Sequence, residues 1–118
     1  MAFEPVPRNL AFLHRHVALN QLDVRVVEAA VGTEDGVMRF DTATTAGSGR
    51  LVGEGHEPLG ETLEVQVRGA AGLLAEGLTP PDVVKMDSEG AEATVLRALL
   101  ESLPADPVVF LAVHDLPA

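Results

Sequence analysis

The chain has 118 residues, a net charge of −10 and no cysteine, and its isoelectric point lies near 4.6. The lack of cysteine excludes disulfides, thiolate catalysis and cysteine-ligated metal sites, and the negative charge disfavours binding to nucleic acid or to an anionic membrane. No apolar run approaches the roughly 20 residues that a membrane span needs. We therefore expect one domain over residues 1–118, and since the N-terminus does not resemble a signal peptide, a cytoplasmic location.

The first part of the chain predicts a helix followed by two strands. A short segment, Ala2 to Glu4, precedes a helix that ends near Asn20 and whose apolar residues recur at spacings of four, three and four. That apolar stripe consists of Val6, Leu10, Leu13 and Val17. Residues 23–31 predict one strand. The Asp-Gly pair in the turn at residues 33–36 then predicts a hairpin that returns the chain into a strand at residues 37–41.

The second part alternates strands with helices after a long glycine-rich loop at residues 43–60. Period-two alternation predicts a half-buried strand over residues 63–68. The remaining predicted elements are a short helix at 70–76, a buried strand at 83–86, a helix whose apolar stripe runs from 95 to 103, and an inner parallel strand at 108–113. This order predicts an α/β fold with a mainly parallel sheet.

Two acidic residues follow predicted strands, namely Glu4 and Asp87. In open α/β sheets ligands bind outside the carboxyl ends of the strands, where a carboxylate can accept hydrogen bonds from ribose hydroxyls or attract a cationic centre. The alternative needs no ligand: acids such as Glu89 and Glu92 stabilise the first turn of a helix, and Ser88 caps it. Both interpretations of this acidic segment stay open on position alone.

Three other patterns are weaker candidates for a site. Glycines 47, 49 and 53 lack the spacing and the following lysine of a phosphate-binding loop. His14 and His16 are two residues apart on a predicted helix and therefore point to different sides. The pair His114-Asp115 follows a predicted strand, which is a weak indication of a metal ligand or a proton relay.

Two segments of the chain closely resemble the paired signatures of the FkbM family of S-adenosyl-L-methionine-dependent methyltransferases. They are Ala2-Phe3-Glu4-Pro5-x-Pro7 and the more specific Lys85-Met86-Asp87-Ser88-Glu89-Gly90-Ala91-Glu92. The spacer between them fits as well, at residues 29–32 and 34–36, and the resemblance covers essentially the whole chain. It implies a Rossmann-like class I methyltransferase fold with a β-hairpin insertion.

The resemblance also implies roles for individual residues. Glu4, followed by Pro5, would hold the ribose hydroxyls of S-adenosyl-L-methionine, and Ala30 and Val31 would lie near the adenine. Asp87 would bind at the methionine end and, together with Glu89, would face the reaction centre as a catalytic residue. No metal is implied. The acceptor would be a hydroxyl group on a small molecule or a sugar.

The sequence departs from the family pattern at three places. It contains no acidic, glycine-rich turn before Phe3-Glu4-Pro5, it has Gly69-Ala70-Ala71 where the family often has Thr-Leu-Asp, and it has Ala112 where the family often has glutamate. We therefore expect a partial methyltransferase domain that binds the cofactor weakly or not at all. The alternatives are a fragment of a nucleotide-binding oxidoreductase of the NAD type and a non-catalytic remnant.

The missing first strand of that fold has a structural consequence. It would lie between the strand stub at Ala2 to Glu4 and the strand at 83–86, and its removal leaves a gap of roughly 10 Å. Either these two strands pair directly or residues 83–86 present an open apolar edge, which favours self-association.

Overall fold

The chain is described by a computed structural model over residues 1–42, 50–51, 61–87 and 92–112. It contains both α-helices and β-strands, as the sequence predicts. In chain order the elements are β1 (Ala2–Phe3), α1 (Pro7–Leu19), β2 (Val26–Val27), β3 (Ala30–Gly32), β4 (Gly36–Asp41), β5 (Arg50–Leu51), β6 (Thr62–Gly69), α2 (Ala70–Ala75), β7 (Val83–Met86), α3 (Glu92–Ser102) and β8 (Val108–Leu111).

The strands of the described residues form three small sheets of mixed direction rather than one parallel sheet. Two are parallel pairs, β1–β2 and β7–β8, and the third has the order β3-β6-β4-β5. In that third sheet β3 is parallel to β6, whereas β4 is antiparallel to both β5 and β6. The prediction of an α/β chain is confirmed, whereas a mainly parallel, Rossmann-like sheet stays a prediction.

The predicted strand over residues 23–31 is wrong, because the chain bends within it. β2 ends at Val27, whose carbonyl accepts a hydrogen bond from the Ala29 amide at 2.9 Å. β3 then begins at Ala30 in a different sheet. Since Ala29 and Ala30 are buried, the bend carries the chain inward from the β1–β2 pair to the four-stranded sheet.

The predicted hairpin at residues 33–36 is also wrong, because β3 and β4 are not neighbours and β6 lies between them. The physical reason is a long-range contact of the turn. The Asp35 carboxylate accepts hydrogen bonds from the Gly69 amide at 2.8 Å and from Arg68 Nε at 3.2 Å. These bonds hold the turn against the carboxyl end of β6, so that β3 and β4 pass on either side of that strand.

The core of the four-stranded sheet follows from the alternation of β6. Val65 and Val67 are buried, whereas Glu64 and Gln66 are exposed, as period two predicts. The buried cluster consists of Ala30, Phe40, Val65 and Val67, with Val6 and Leu63 packed against it. The core therefore joins the N-terminal end of α1 to the sheet.

A network of polar side chains connects the residues at the two ends of α2. Arg68, which donates to Asp35, also donates from Nη2 to Glu76 Oε1 at 2.7 Å. The backbone hydrogen bond from Gly69, followed by that from Arg68, lowers the pKa of the Asp35 carboxyl below its ordinary 3.8. Because the folded-state pKa is the lower one, this contribution to stability is present above about pH 4 and is lost as the pH falls through the folded pKa.

Helix α1 begins and ends as its sequence suggests. Pro7 occupies the first turn, where the amide it lacks would have no helical partner. At the other end the Gln21 amide donates to Ala18 and the Leu22 amide donates to Val17, at 3.2 and 3.0 Å. These two bonds form a Schellman motif, and Gln21 adopts the left-handed conformation at φ 52° that this motif requires.

The β7–β8 pair is more exposed than the sequence predicts. Met86 is buried, but Val83 and Val108 are each 58% exposed and Phe110 is 62% exposed. Within the described residues, β7 pairs only with β8, and β1 pairs only with β2. The strand stub therefore does not close onto β7, and the expectation that β7 is buried and β8 is an inner strand is wrong for this part of the chain.

No helix in the described ranges is both long enough and apolar enough to cross a membrane.

Candidate functional site

Glu4 stands at the carboxyl end of β1, where strand pairing and helix α1 together fix its position. The Ala2 amide donates to the Arg25 carbonyl at 2.9 Å and the Glu4 amide to the Val27 carbonyl at 3.2 Å. The Glu4 side chain turns back toward the helix, and its Oε1 accepts a hydrogen bond from the Val6 amide at 2.8 Å. The carboxylate is thus oriented at the junction of a parallel strand and a helix N-terminus.

The Glu4 carboxylate retains the capacity to bind a ligand. The side chain is half-buried, and the bond to Val6 is its one hydrogen bond among the described residues. An ionised carboxylate has about four lone-pair positions. Its second oxygen can therefore accept hydrogen bonds from a pair of neighbouring hydroxyls.

The β1–β2 register brings a second strand end beside Glu4. Phe3 pairs with Val27, so Glu4 and Glu28 are the next residues on the two parallel strands. Ala30 is buried and Val31 half-buried two to three residues farther along the chain. The structure thus places Glu4, Pro5 and the segment that contains Ala30 and Val31 at one end of the β1–β2 pair.

Asp87 lies at the carboxyl end of a different sheet. It follows β7 directly and is exposed. Beside it the parallel ladder continues, because the Ala112 amide donates to the Met86 carbonyl at 3.0 Å. Strand pairing therefore does not join Asp87 to Glu4.

Several other predicted site residues lie outside the described residues: Ser88, Glu89, the pair His114-Asp115, and glycines 47, 49 and 53.

One polar contact near Glu4 is not predicted by the sequence analysis. Nε2 of His14, on α1, lies 3.5 Å from Oε1 of Glu28. Glu28 directly follows Val26-Val27, which is the position of a strand end. The prediction of one strand over residues 23–31 placed Glu28 inside a strand and so did not indicate this contact.

The described part of the chain contains no group of three or more side chains arranged to hold a metal ion.

Comparison with known families decides how the chain is classified. The family model of the methyltransferase FkbM domain matches residues 1–117. The chain belongs to the FkbM methyltransferase domain family. The resemblance seen in the two sequence segments is thereby confirmed. No curated protein and no solved structure matched the chain.

Membership of the FkbM family makes the residues at the two strand ends candidates for a methyltransferase site. The family implies a methyltransferase α/β fold, and the match includes both the Glu4 segment and the Asp87 segment. Nothing found favours an oxidoreductase of the NAD type. The Glu4 end of the β1–β2 pair is therefore the candidate cofactor site, and Asp87 marks the second candidate position.

Proposed function

We propose that this FkbM-family domain is an S-adenosyl-L-methionine-dependent methyltransferase that methylates a hydroxyl group on a small molecule or a sugar. The observation that carries the proposal is the position of the Glu4 carboxylate at the carboxyl end of a parallel strand. The Glu4 amide donates to the Val27 carbonyl, and the carboxylate accepts a hydrogen bond from the Val6 amide. Ligands of Rossmann-like sheets bind at that end of the strands. The parallel pairs β1–β2, β3–β6 and β7–β8 support such an arrangement.

The residues at this end suit the nucleoside half of the cofactor. The free oxygen of Glu4 can accept hydrogen bonds from two adjacent ribose hydroxyls, and Pro5 fixes the backbone that follows it. Val31 is half-buried and offers a small apolar surface for a flat ring, whereas Ala30 lies in the buried core cluster. A carboxylate that accepts hydrogen bonds from hydroxyls of a ligand contributes about 1–3 kcal/mol to binding.

The reaction itself needs an acid–base group at the second position. When bound, the cofactor supplies an electrophilic methyl group on a cationic sulfonium. An acceptor hydroxyl, with a pKa near roughly 16, must lose its proton as the new oxygen–carbon bond forms and the sulfur–methyl bond breaks, which would leave the sulfur as a neutral thioether. We assign this region to Asp87 and Glu89: a carboxylate attracts the cationic centre and accepts or orients the departing proton.

The first prediction tests the Glu4 assignment by S-adenosyl-L-methionine binding to the 118-residue chain. We expect weak binding, with a dissociation constant above the low-micromolar range, because these 118 residues contain no acidic, glycine-rich turn before Glu4 that would bring backbone amides close to the cofactor. Glu4→Ala should lower the affinity by a further factor of about 5 to 150, which corresponds to ~1–3 kcal/mol. Saturation-transfer NMR and isothermal titration measure both values.

Glu101→Ala is the matched control, because Glu101 is an exposed glutamate on α3 and should leave the affinity unchanged. If the Glu4→Ala variant and the unchanged chain bound S-adenosyl-L-methionine equally well, Glu4 would not be the acceptor for the ribose hydroxyls. Displacement of S-adenosyl-L-methionine by NAD at similar concentration would favour the oxidoreductase alternative instead.

The second prediction concerns Asp87. In preparations that methylate an acceptor, Asp87→Asn should lower the turnover number by about 100-fold, the usual contribution of a general base, and should affect turnover more than it affects the melting temperature. The control is Asp106→Asn, at an exposed aspartate between α3 and β8. Unchanged turnover in Asp87→Asn would mean that this acidic segment only stabilises the start of α3.

A further inference from the structure

The outer face of α1 carries a stripe of alternating basic and apolar side chains. Arg8, Phe12, Arg15 and Leu19 recur at spacings of four, three and four, which places them on one side of a helix. All four are exposed, Phe12 by 56% and Leu19 by 69% of its surface. The residues that α1 packs inward, Leu10, Leu13 and Val17, lie on the opposite side. We call the four exposed residues the α1 stripe.

The charge of the α1 stripe is opposite to that of the rest of the molecule. Residues 5–22 contain two arginines and no aspartate or glutamate. Since the whole chain has a net charge of −10, the remaining residues carry −12. The α1 stripe is thus a cationic and apolar surface on an acidic protein, and two large apolar side chains are exposed within it.

We propose that the α1 stripe docks an acidic amphipathic helix of a partner protein. A helix laid along α1 can place apolar side chains against Phe12 and Leu19 and carboxylates against Arg8 and Arg15, which lie within the same stripe. Charge complementarity selects the partner, since carboxylates attract the two guanidinium groups and a basic segment is repelled by them. The contact length suits a helix, because the 13 residues of α1 extend over about 20 Å.

Two other occupants fit these observations less well. An anionic membrane would attract two arginines but would be repelled by the remaining −12 charge, and two large apolar side chains bury little surface in a bilayer. A second copy of this chain offers no matching helix within the described ranges. The exposed residues of α3 are Ala93, Thr94, Arg97 and Glu101, and α2 has only six residues.

The test uses the full chain and a labelled peptide as a probe. The peptide has about 14 residues, is stabilised as a helix, and carries leucines at spacings of four, three and four with glutamates beside them; a control peptide carries lysine in place of every glutamate. Fluorescence anisotropy should show that the glutamate peptide binds with a dissociation constant below about 1 mM. Binding should weaken as salt rises from about 50 to about 300 mM, and the lysine peptide should not bind.

Substitutions then separate the charged from the apolar contribution. Arg8→Glu combined with Arg15→Glu should lower the affinity at least tenfold, and Phe12→Ser combined with Leu19→Ser should do the same. Arg97→Glu, an exposed arginine on α3, is the control and should change the affinity little. Circular dichroism confirms that each variant keeps the helix content of the unchanged chain.

Each of the following outcomes would overturn the proposal. The glutamate peptide does not bind up to about 1 mM, or the lysine peptide binds equally well. Vesicles of phosphatidylcholine with about 30% phosphatidylserine capture the chain, and the double arginine variant is released, which would indicate a membrane. Sedimentation shows self-association that the double arginine variant loses, which would indicate a second copy.

Discussion

At the scale of single residues, Gly72 and Asp35 constrain each other. A Cβ atom added to Gly72 would overlap the Asp35 carboxylate. That carboxylate cannot simply rotate away, because the Gly69 amide and Arg68 hold it by hydrogen bonds. The glycine is therefore required by a neighbouring side chain and not by its own backbone conformation, although a glycine within a helix such as α2 ordinarily weakens it.

The third prediction follows from this contact. Gly72→Ala should lower the free energy of unfolding, because the displaced Asp35 loses its two hydrogen bonds. In an Asp35→Ala background the same substitution should instead raise it by ~1 kcal/mol, the ordinary preference of a helix for alanine over glycine. Urea denaturation of the four proteins of this cycle measures the coupling between the two positions.

Gly36→Ala serves as the comparison, because a Cβ at Gly36 would meet no atom within 4 Å. A destabilisation by Gly72→Ala that is equal in both backgrounds would show that Asp35 is not the cause.

The site residues show what a motif in the sequence can and cannot predict. The positions of Glu4 and Asp87 after strands follow directly from the apolar residues before them, and the structure confirms both. The hydrogen bond of Glu4 to the Val6 amide is local and joins residues two apart. The approach of His14 to Glu28 depends on how α1 packs on the strand ends, and the spacing of these two residues in the sequence does not indicate it.

At the scale of elements, the turn that ends α1 contains Gln21 in an unfavourable backbone conformation. It occupies the position after the helix at which glycine is most common. Its φ of 52° brings the Cβ of a residue other than glycine close to the following carbonyl oxygen. The two hydrogen bonds of the Schellman motif hold it there.

The fourth prediction is that Gln21→Gly raises the free energy of unfolding by ~0.5–1 kcal/mol, since glycine adopts the left-handed conformation without a steric penalty. Gln21→Ala is the control, because alanine removes the side chain but keeps the Cβ, and it should give no stabilisation. Chemical denaturation of the three proteins measures the difference, and equal stabilisation by glycine and alanine would contradict the backbone explanation.

Elements with a regular apolar period are predicted well, whereas their connections are not. The helices α1 and α3 and the strand β6 agree with the spacing of their apolar residues. The segment 23–31 and the hairpin at 33–36 do not, because the Asp-Gly pair signals a turn and cannot show that Asp35 bonds to Gly69, far away in sequence. That contact inserts β6 between two strands which look like a hairpin locally.

At the scale of the whole molecule, the fifth prediction concerns stability. The β7–β8 pair exposes Val108 and Phe110, and an exposed apolar strand edge favours pairing with another chain. The free energy of unfolding of a whole domain is only ~5–15 kcal/mol. We expect the isolated 118-residue chain to be marginally stable and to self-associate through this sheet. Sedimentation velocity at several concentrations and thermal melting measure the two properties.

Val108→Thr combined with Phe110→Thr should reduce this association, whereas Phe12→Thr on α1 should not. A cooperative melt above about 55 °C from a monodisperse monomer would contradict the prediction.

The order of strands in the four-stranded sheet has a consequence for synthesis on the ribosome. β6 pairs with both β3 and β4, and Gly69 of β6 lies opposite Gly32 of β3, 37 positions earlier. At about 5–20 residues per second, translation separates the two partners by about 2–7 seconds. During that interval Ala30, and Phe40 once it has been synthesised, lack the strand that later pairs beside them. We expect chaperones that bind exposed apolar segments to associate with the nascent chain at this stage.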